Sequence, residues 1–128
     1  MTKMISEKDQ ARFAVTGKLG LLSTVGTDGP HISLISSIQA KNENQIMWGQ
    51  FSHGESKENL VKNPKSGFMV VSMDKKWWRG TAVHTGATDS GEDYEMYNNQ
   101  PLFRYNSYFG IGKVHYMDVK EFSGEQDL

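Results

Sequence analysis

Short apolar segments separated by turn-forming residues run along most of the chain. Residues 77–89 alternate between two sets of positions, and Ile32 and Leu34 share one face of residues 31–41, which is typical of strands. One segment, residues 66–73, is apolar almost throughout, as expected for a central strand. The pattern predicts six strands, at residues 19–25, 31–41, 45–51, 66–73, 77–89 and 111–122.

Helical spacing occurs in three other stretches. Residues 6–18 predict an amphipathic helix that begins at an N-cap, Ser6, and carries acidic residues in its first turn. A second helix is predicted after Ser56, its expected N-cap. This helix should end before Pro64, because proline disfavours helical geometry in the preceding residue. A third, short helix is predicted at residues 92–98.

Tight turns join the first three predicted strands. Asp28-Gly29 is a strong hairpin signal, and residues 42–44 form a second polar turn, so an antiparallel meander is expected. Six short strands would leave exposed edges unless the sheet closed on itself. The predicted fold is therefore mainly β, a small closed or half-open barrel in one domain that spans residues 1–128.

Composition narrows the classes of function. The chain has 128 residues and a formal net charge of −1, so nothing attracts it as a whole to nucleic acid or to an anionic membrane. Any anion site must then be local. The absence of cysteine excludes disulfides and thiolate chemistry. The N-terminus is polar, and no apolar run approaches the roughly 20 residues that span a bilayer, so we predict a cytoplasmic protein.

The remaining candidate groups carry weaker signals. The four histidines lie far apart in sequence, and no metal site and no catalytic side chain are predicted. Trp77-Trp78-Arg79 could stack on nucleic-acid bases. The near-neutral charge instead favours a core position for one tryptophan and an interface or pocket position for the other.

The stretch "FSHGESKENLVKNP", residues 51–64, is the most informative one. It leads from a strand through a loop of small and hydrogen-bonding residues into a helix. Helix N-terminal amides, the Ser56 hydroxyl and the Lys57 ammonium could together hold an anion. On the residues alone, Ser56 could equally be an ordinary N-cap and Lys57 a solvated side chain.

Three ordered stretches carry a resemblance: "GLLSTVGTDGPHISLISSI", "NQIMWGQFSHGESKENLVKNPKSGFMVVS" and "WRGTAVHTGATD". Their order and separations make the chain similar to the FMN-binding split-barrel family, over about residues 9–122. This family includes pyridoxamine 5'-phosphate oxidase-like proteins and small FMN-binding proteins of anaerobic bacteria. The resemblance implies a six-stranded antiparallel split barrel of Greek-key type. It also implies a homodimer with FMN in the groove between the subunits.

The resemblance further implies which residues bind the cofactor. The phosphate is expected at the helix start, and the isoalloxazine ring beside the end of the preceding strand, mainly against its backbone groups. The strand after the first turn would flank the ring or the ribityl chain, although its residues could also be ordinary strand residues. The expected cofactor-binding residues are Ser33, Leu34, Ile35, Gly49, Gln50, Phe51, Ser52, Ser56, Lys57 and Tyr108.

Some of these residues have a second interpretation. Tyr108, with Tyr105 and Phe109, would approach the flavin of the partner subunit, or it would only pack at the dimer interface. Asn59 could support the phosphate site from behind, and His53 could contact the phosphate or face water.

Flavin carries out hydride or electron transfer itself, so the sequence needs no catalytic side chain of its own. The resemblance implies a flavin-dependent oxidoreductase or an electron-transfer protein, with an unknown donor and acceptor. Pyridoxamine phosphate oxidase activity is not expected, because the chain ends "FSGEQDL" where those enzymes carry a substrate-binding segment. Two alternatives stay open: a split-barrel reductase that binds the deazaflavin F420, and a cofactor-free β-barrel interaction module.

Overall fold

The computed structural model of the protein describes residues 4–14, 18–26, 29–50, 55–99 and 112–127, and only the backbone of residues 55–58. Within these residues there are eight strands and three short helices. The strands are β1 (Leu19–Gly26), β2 (Gly29–Leu34), β3 (Gln39–Asn42), β4 (Gln45–Gln50), β5 (Lys65–Val71), β6 (Lys76–Thr88), β7 (Lys113–Phe122) and β8 (Gln126–Asp127). The helices are α1 (Glu7–Phe13), α2 (Glu55–Lys62) and α3 (Glu92–Asn99). The fold is mainly β, as predicted.

The strands form one antiparallel sheet in the order β2-β1-β5-β6-β7-β4-β3, with β8 paired to β6. β2 and β3 lie at opposite ends of this order, although only residues 35–38 separate them in the chain. The N–H of Ile35 donates to the C=O of Gly20 in β1 (2.7 Å). The Ser37 hydroxyl bonds to the backbone of Gly49 in β4 (3.0 Å). This short link bridges the two ends of the sheet, so the sheet curls into a barrel.

Two details of the predicted sheet are wrong. The single strand expected at residues 31–41 is two strands, β2 and β3, separated by a turn at residues 36–37. The expected meander is also absent from the described residues, because β2 pairs with β1 and β3 pairs with β4. Apolar residues recur on both sides of the turn, at Ile35 and Ile38, and so the pattern resembles one long strand. β8 was not predicted either.

The predicted helices are confirmed with changed ends. The Ser6 side chain accepts a hydrogen bond from the Asp9 amide (3.2 Å) and caps α1, but α1 ends at Phe13, well before residue 18. Phe13 contacts the rings of Trp78 (5.3 Å between centroids) and Phe122 (6.0 Å) edge-on in the core. α2 begins at Glu55, so Ser56 is the second residue of the helix and not its N-cap. α3 lies where it was predicted.

The core occupies the inside of the barrel. Trp78 is fully buried there, whereas Trp77 is partly exposed and donates from Nε1 to the C=O of Asp127 (3.2 Å). The predicted core position for one tryptophan is confirmed. A second cluster, formed by Met47, Tyr97 and Val114, packs between α3 and the outside of the sheet. No helix in the described part of the chain is long and apolar enough to cross a membrane.

Candidate functional site

The end of β4 and the start of α2 enclose the predicted phosphate loop. β4 ends at Gln50 and α2 begins at Glu55, so the backbone of Ser56 and Lys57 belongs to the first turn of α2. The first amides of a helix have no partner within the helix and carry the positive end of its dipole. Phe51 and Ser52 lie outside the described residues, as does His53. Ser56 and Lys57 thus lie in the first turn of α2, and their part in an anion site stays a prediction.

α2 is held against β1 by a buried amide. Asn59 donates from Nδ2 to the Thr24 hydroxyl (3.0 Å), and its carboxamide packs on Gly26. Asn59 is 8% exposed and Thr24 2% exposed, so both side chains are buried. The sequence allows Asn59 a supporting place behind the phosphate site. In the structure its contacts fix the helix that carries Ser56 and Lys57.

A short link connects the predicted ring-binding segments at the end of β2 and the end of β4. The link after β2 reaches β4 through Ser37, whose hydroxyl accepts from Gly49 N–H and donates to Gly49 C=O. Ile35, at the start of the link, donates its N–H to Gly20 of β1. Ser33 bonds through its hydroxyl to His31 Nε2 (3.1 Å), and Leu34 is 66% exposed.

Gly49 is buried, and its main-chain N–H and C=O both bond to the Ser37 hydroxyl. The C=O of Gln50 accepts from the N–H of Gly112 (2.8 Å). These polar backbone groups bond within the fold, and the flavin contact expected here stays a prediction. The Gln50 side chain contributes a further polar group at this end of β4.

Sequence reasoning missed a pair of histidines. His84 of β6 and His115 of β7 meet inside the barrel, with Nε2 of His84 3.0 Å from Nδ1 of His115. Nε2 of His115 bonds to Oε1 of Gln50 (2.8 Å), and its ring stacks on Trp48 (4.2 Å between centroids). The only available signal was their position on two long strands whose register the sequence does not reveal. Among the described residues no group of three or more potential metal ligands occurs.

Tyrosines secure the same region from outside the barrel. The Tyr97 hydroxyl of α3 donates to the C=O of Ser37 (2.7 Å), and the Tyr116 hydroxyl donates to Asp93 (2.7 Å). Asp93 also forms an ion pair with Lys41 (2.7 Å). Burial, reinforced by the negative charge of Asp93, raises the pKa of Tyr97 well above its usual value. Burial and the bond to Asp93 raise the pKa of Tyr116 to about 12.

These tyrosines predict a loss of stability in alkali. Tyrosines of the unfolded chain ionise at about pH 10, whereas Tyr97 and Tyr116 of the folded chain keep their hydroxyl protons to higher pH. The stabilisation is complete below that pH and disappears as the pH rises towards the folded pKa of Tyr116, about 12. Urea unfolding at about pH 9, 10 and 11 measures it. The free energy of unfolding should fall with pH in the wild type and fall less in the double variant Tyr97→Phe, Tyr116→Phe. If the free energy of unfolding falls equally with pH in the wild type and the double variant, these two tyrosines do not cause the loss of stability.

A groove of about 970 Å³ lies on the outer face of the sheet. Leu21 and Ile32 line one side, Arg79 and Lys120 line the other, and Gly67 lies on its floor. It contains none of the residues predicted to bind flavin. Tyr108 and the other predicted aromatic residues near it lie outside the described residues.

The same outer face carries exposed apolar side chains. Ile32 is 69% exposed and Leu34 is 66% exposed on β2, while Leu19 and Val25 are about half exposed on β1. Monomeric proteins rarely expose several large apolar side chains together on one face.

Known structures share this fold, although the sequence matches no protein-family model and no curated protein. An FMN-binding protein from Syntrophomonas wolfei subsp. wolfei is similar at a TM-score of 0.72 and 18% identity, over 95% of this chain and 86% of that one. A Clostridium acetobutylicum protein related to general stress protein 26, of the pyridoxinephosphate oxidase family, gives 0.68 and 11%, over 94% and 87%.

The chain has the split-barrel fold of the pyridoxamine 5'-phosphate oxidase-like family. The resemblance inferred from the sequence motifs is confirmed at this level. An F420 reductase is also similar to this split barrel, at a TM-score of 0.65 and 15% identity, over 89% of this chain and 94% of that one.

Proposed function

We propose that this split barrel binds FMN and acts as a flavin-dependent oxidoreductase or electron-transfer protein. The observation that carries the proposal is the closure of the barrel by residues 35–38, which joins the end of β2 to the end of β4. This link connects two segments expected to bind flavin, around Ile35 and Gly49, and the chain continues from Gln50 towards the third, at the start of α2. The similar Syntrophomonas protein is itself described as FMN-binding.

The described residues suit the chemistry of the cofactor. The first turn of α2 offers amides to a phosphate, with Ser56 and Lys57 proposed to add a hydroxyl and a charge, and Ser52 as a further donor. The Gln50 carboxamide could donate to a polar ring edge, and Ser33, Leu34 and Ile35 would flank the ring. FMN would supply the redox chemistry, and the protein would position it and control access.

The competing cofactor is the deazaflavin F420, because an F420 reductase shares the fold. The two cofactors are distinguished by absorption spectroscopy of the purified protein, followed by mass spectrometry of whatever denaturation releases. FMN released in stoichiometric amount, or tight binding of added FMN by the colourless protein, supports the proposal. Release of F420 would move the function to that branch. A colourless protein that binds neither cofactor would leave an interaction module as the function.

We also propose a homodimer with the flavin at its interface, formed through the outer face of β1 and β2. The exposed side chains of Leu19, Val25, Ile32 and Leu34 support this choice, because pairing with a second copy would bury them. A cytoplasmic location remains a prediction from the sequence.

The dimer proposal predicts that Ile32→Glu produces monomers. A twofold interface would bury one added carboxylate from each subunit, and an unpaired buried charge costs far more than an exposed one. Sedimentation velocity measures the change. The matched control is Met73→Glu, since Met73 is 84% exposed and lies in the turn between β5 and β6. If Ile32→Glu stays dimeric, or if Met73→Glu dissociates equally, another face forms the interface.

A further inference from the structure

Three side chains form a continuous hydrogen-bonded chain from β6 across β7 to the end of β4. His84 Nε2 lies 3.0 Å from His115 Nδ1, and His115 Nε2 lies 2.8 Å from Gln50 Oε1. His115 is 3% exposed and stacked on Trp48 at an interplanar angle of 15°, so its ring has little freedom to turn. Gln50 is the last residue of β4 and directly precedes the predicted phosphate loop.

Such a chain has a direction. A carbonyl oxygen only accepts, so His115 must carry its proton on Nε2 and donate it to Gln50. Nδ1 of a neutral His115 is then an acceptor, and His84 must donate to it from Nε2. Burial lowers the pKa of His84, which favours this neutral arrangement. The reversed chain would need His115 protonated on Nδ1 and the Gln50 carboxamide turned over.

The direction determines what Gln50 presents to a ligand. Oε1 of Gln50 accepts the hydrogen bond from His115, so the two N–H groups of the Gln50 carboxamide take no part in this series of hydrogen bonds. No acceptor among the described residues bonds to Nε2 of Gln50. Gln50 therefore presents hydrogen-bond donors at the end of β4, next to the loop that leads to α2.

We propose that His84 and His115 are positioning residues, which hold the Gln50 carboxamide so that its N–H groups donate to an acceptor on the isoalloxazine edge. The inference rests on the proposed FMN function for its ligand and on the hydrogen-bonded chain for its geometry. His115 acts directly on Gln50, and His84 acts through His115. Neither histidine needs to touch the cofactor.

The first test needs no cofactor. Long-range ¹⁵N–¹H spectra of the imidazoles report which ring nitrogen carries the proton, and we expect Nε2 for both histidines at neutral pH. A proton on Nδ1 of His115 would mean the reversed chain and would overturn the proposal. In His84→Ala, the side-chain amide signals of Gln50 should shift, because His115 no longer receives a donor. His84→Gln can donate from its own carboxamide and should restore them.

The second test measures FMN dissociation constants. Loss of one net hydrogen bond predicts weakening of about fivefold for His84→Ala and of about tenfold for Gln50→Leu. If His84 acts only through Gln50, the double variant should bind FMN like Gln50→Leu alone, because the two effects are not additive. Gln45→Leu is the matched control, since Gln45 begins β4 and bonds to Asp118 of β7 (2.9 Å) at the other end of the strand. It should change affinity less than about twofold.

The outcomes separate this inference from the proposed function. If the wild type binds FMN but His84→Ala binds it equally well, the inference fails alone. Additive losses in the double variant would also overturn it, since they would show that His84 acts independently of Gln50. If the wild type binds no FMN, the proposed function fails together with the ligand role of Gln50. The imidazole spectra would still decide the direction of the hydrogen bonds from His84 through His115 to Gln50.

Discussion

Replacing Gly20 by alanine is expected to lower the free energy of unfolding by about 3 kcal/mol, the upper part of the range for overpacked cores. A Cβ atom at this position would lie 2.1 Å from the carbonyl oxygen of Ile35 and 3.2 Å from Cδ1 of Ile38. The first contact is with backbone, which cannot rotate away as a side chain does. The N–H of the same Ile35 donates to the C=O of Gly20. The substitution would therefore push apart two segments of the backbone that are hydrogen-bonded to each other.

Gly86→Ala is the control for this experiment. Gly86 also lies within a strand, β6, but a Cβ atom there meets nothing within 4 Å. We expect a change within about 0.5 kcal/mol. Urea denaturation followed by circular dichroism measures both variants. Equal stability of Gly20→Ala and the wild type would show that the link at residues 35–38 does not close the barrel tightly.

The second large effect concerns Lys57. If its ammonium group neutralises the flavin phosphate, Lys57→Ala should weaken FMN binding by about 1–3 kcal/mol, the scale of a charged hydrogen bond. Riboflavin lacks the phosphate, and its binding should change much less. Isothermal titration calorimetry of both ligands measures the difference.

Lys62→Ala controls for the loss of a lysine from the same helix. Lys62 lies in the last turn of α2 and is exposed, so it is remote from the amides at the helix start. Its removal should leave the affinity for FMN unchanged. If Lys57→Ala weakens FMN and riboflavin equally, Lys57 supports the structure of the loop and does not bind the phosphate.

Much of the fold follows from local chemistry. The Ser6 cap, the Gly29 hairpin and the proline after α2 each act on neighbouring residues, and each predicted an element that the structure contains. The turn at residues 36–37 follows from distant contacts. Ser37 leaves the strand because its hydroxyl bonds to the backbone of Gly49 and its C=O accepts a hydrogen bond from the Tyr97 hydroxyl. No local pattern encodes partners that lie 12 and 60 residues away.

The candidate site divides in the same way. The motif around Ser56 and Lys57 is contiguous in sequence, and so the family resemblance could mark it as a candidate phosphate loop, which stays a prediction. The His84–His115 pair depends on the register between β6 and β7, which shifts between His84 and Gly86. One residue of shift changes the face on which a strand side chain lies. The meeting of these two rings could therefore not be inferred from alternation.

The position of β7 between β6 and β4 has a consequence for synthesis of the protein. β7 is made late, and Trp48 of β4 donates to Met117 of β7, 69 residues further along the chain (3.4 Å). Domains that depend on such distant pairings fold slowly and expose apolar strands meanwhile. During synthesis, β4 should be paired with β3 alone until β7, which ends at Phe122, has emerged from the ribosome. Fluorescence quenching of arrested nascent chains should find Trp48 exposed before that point and protected after it.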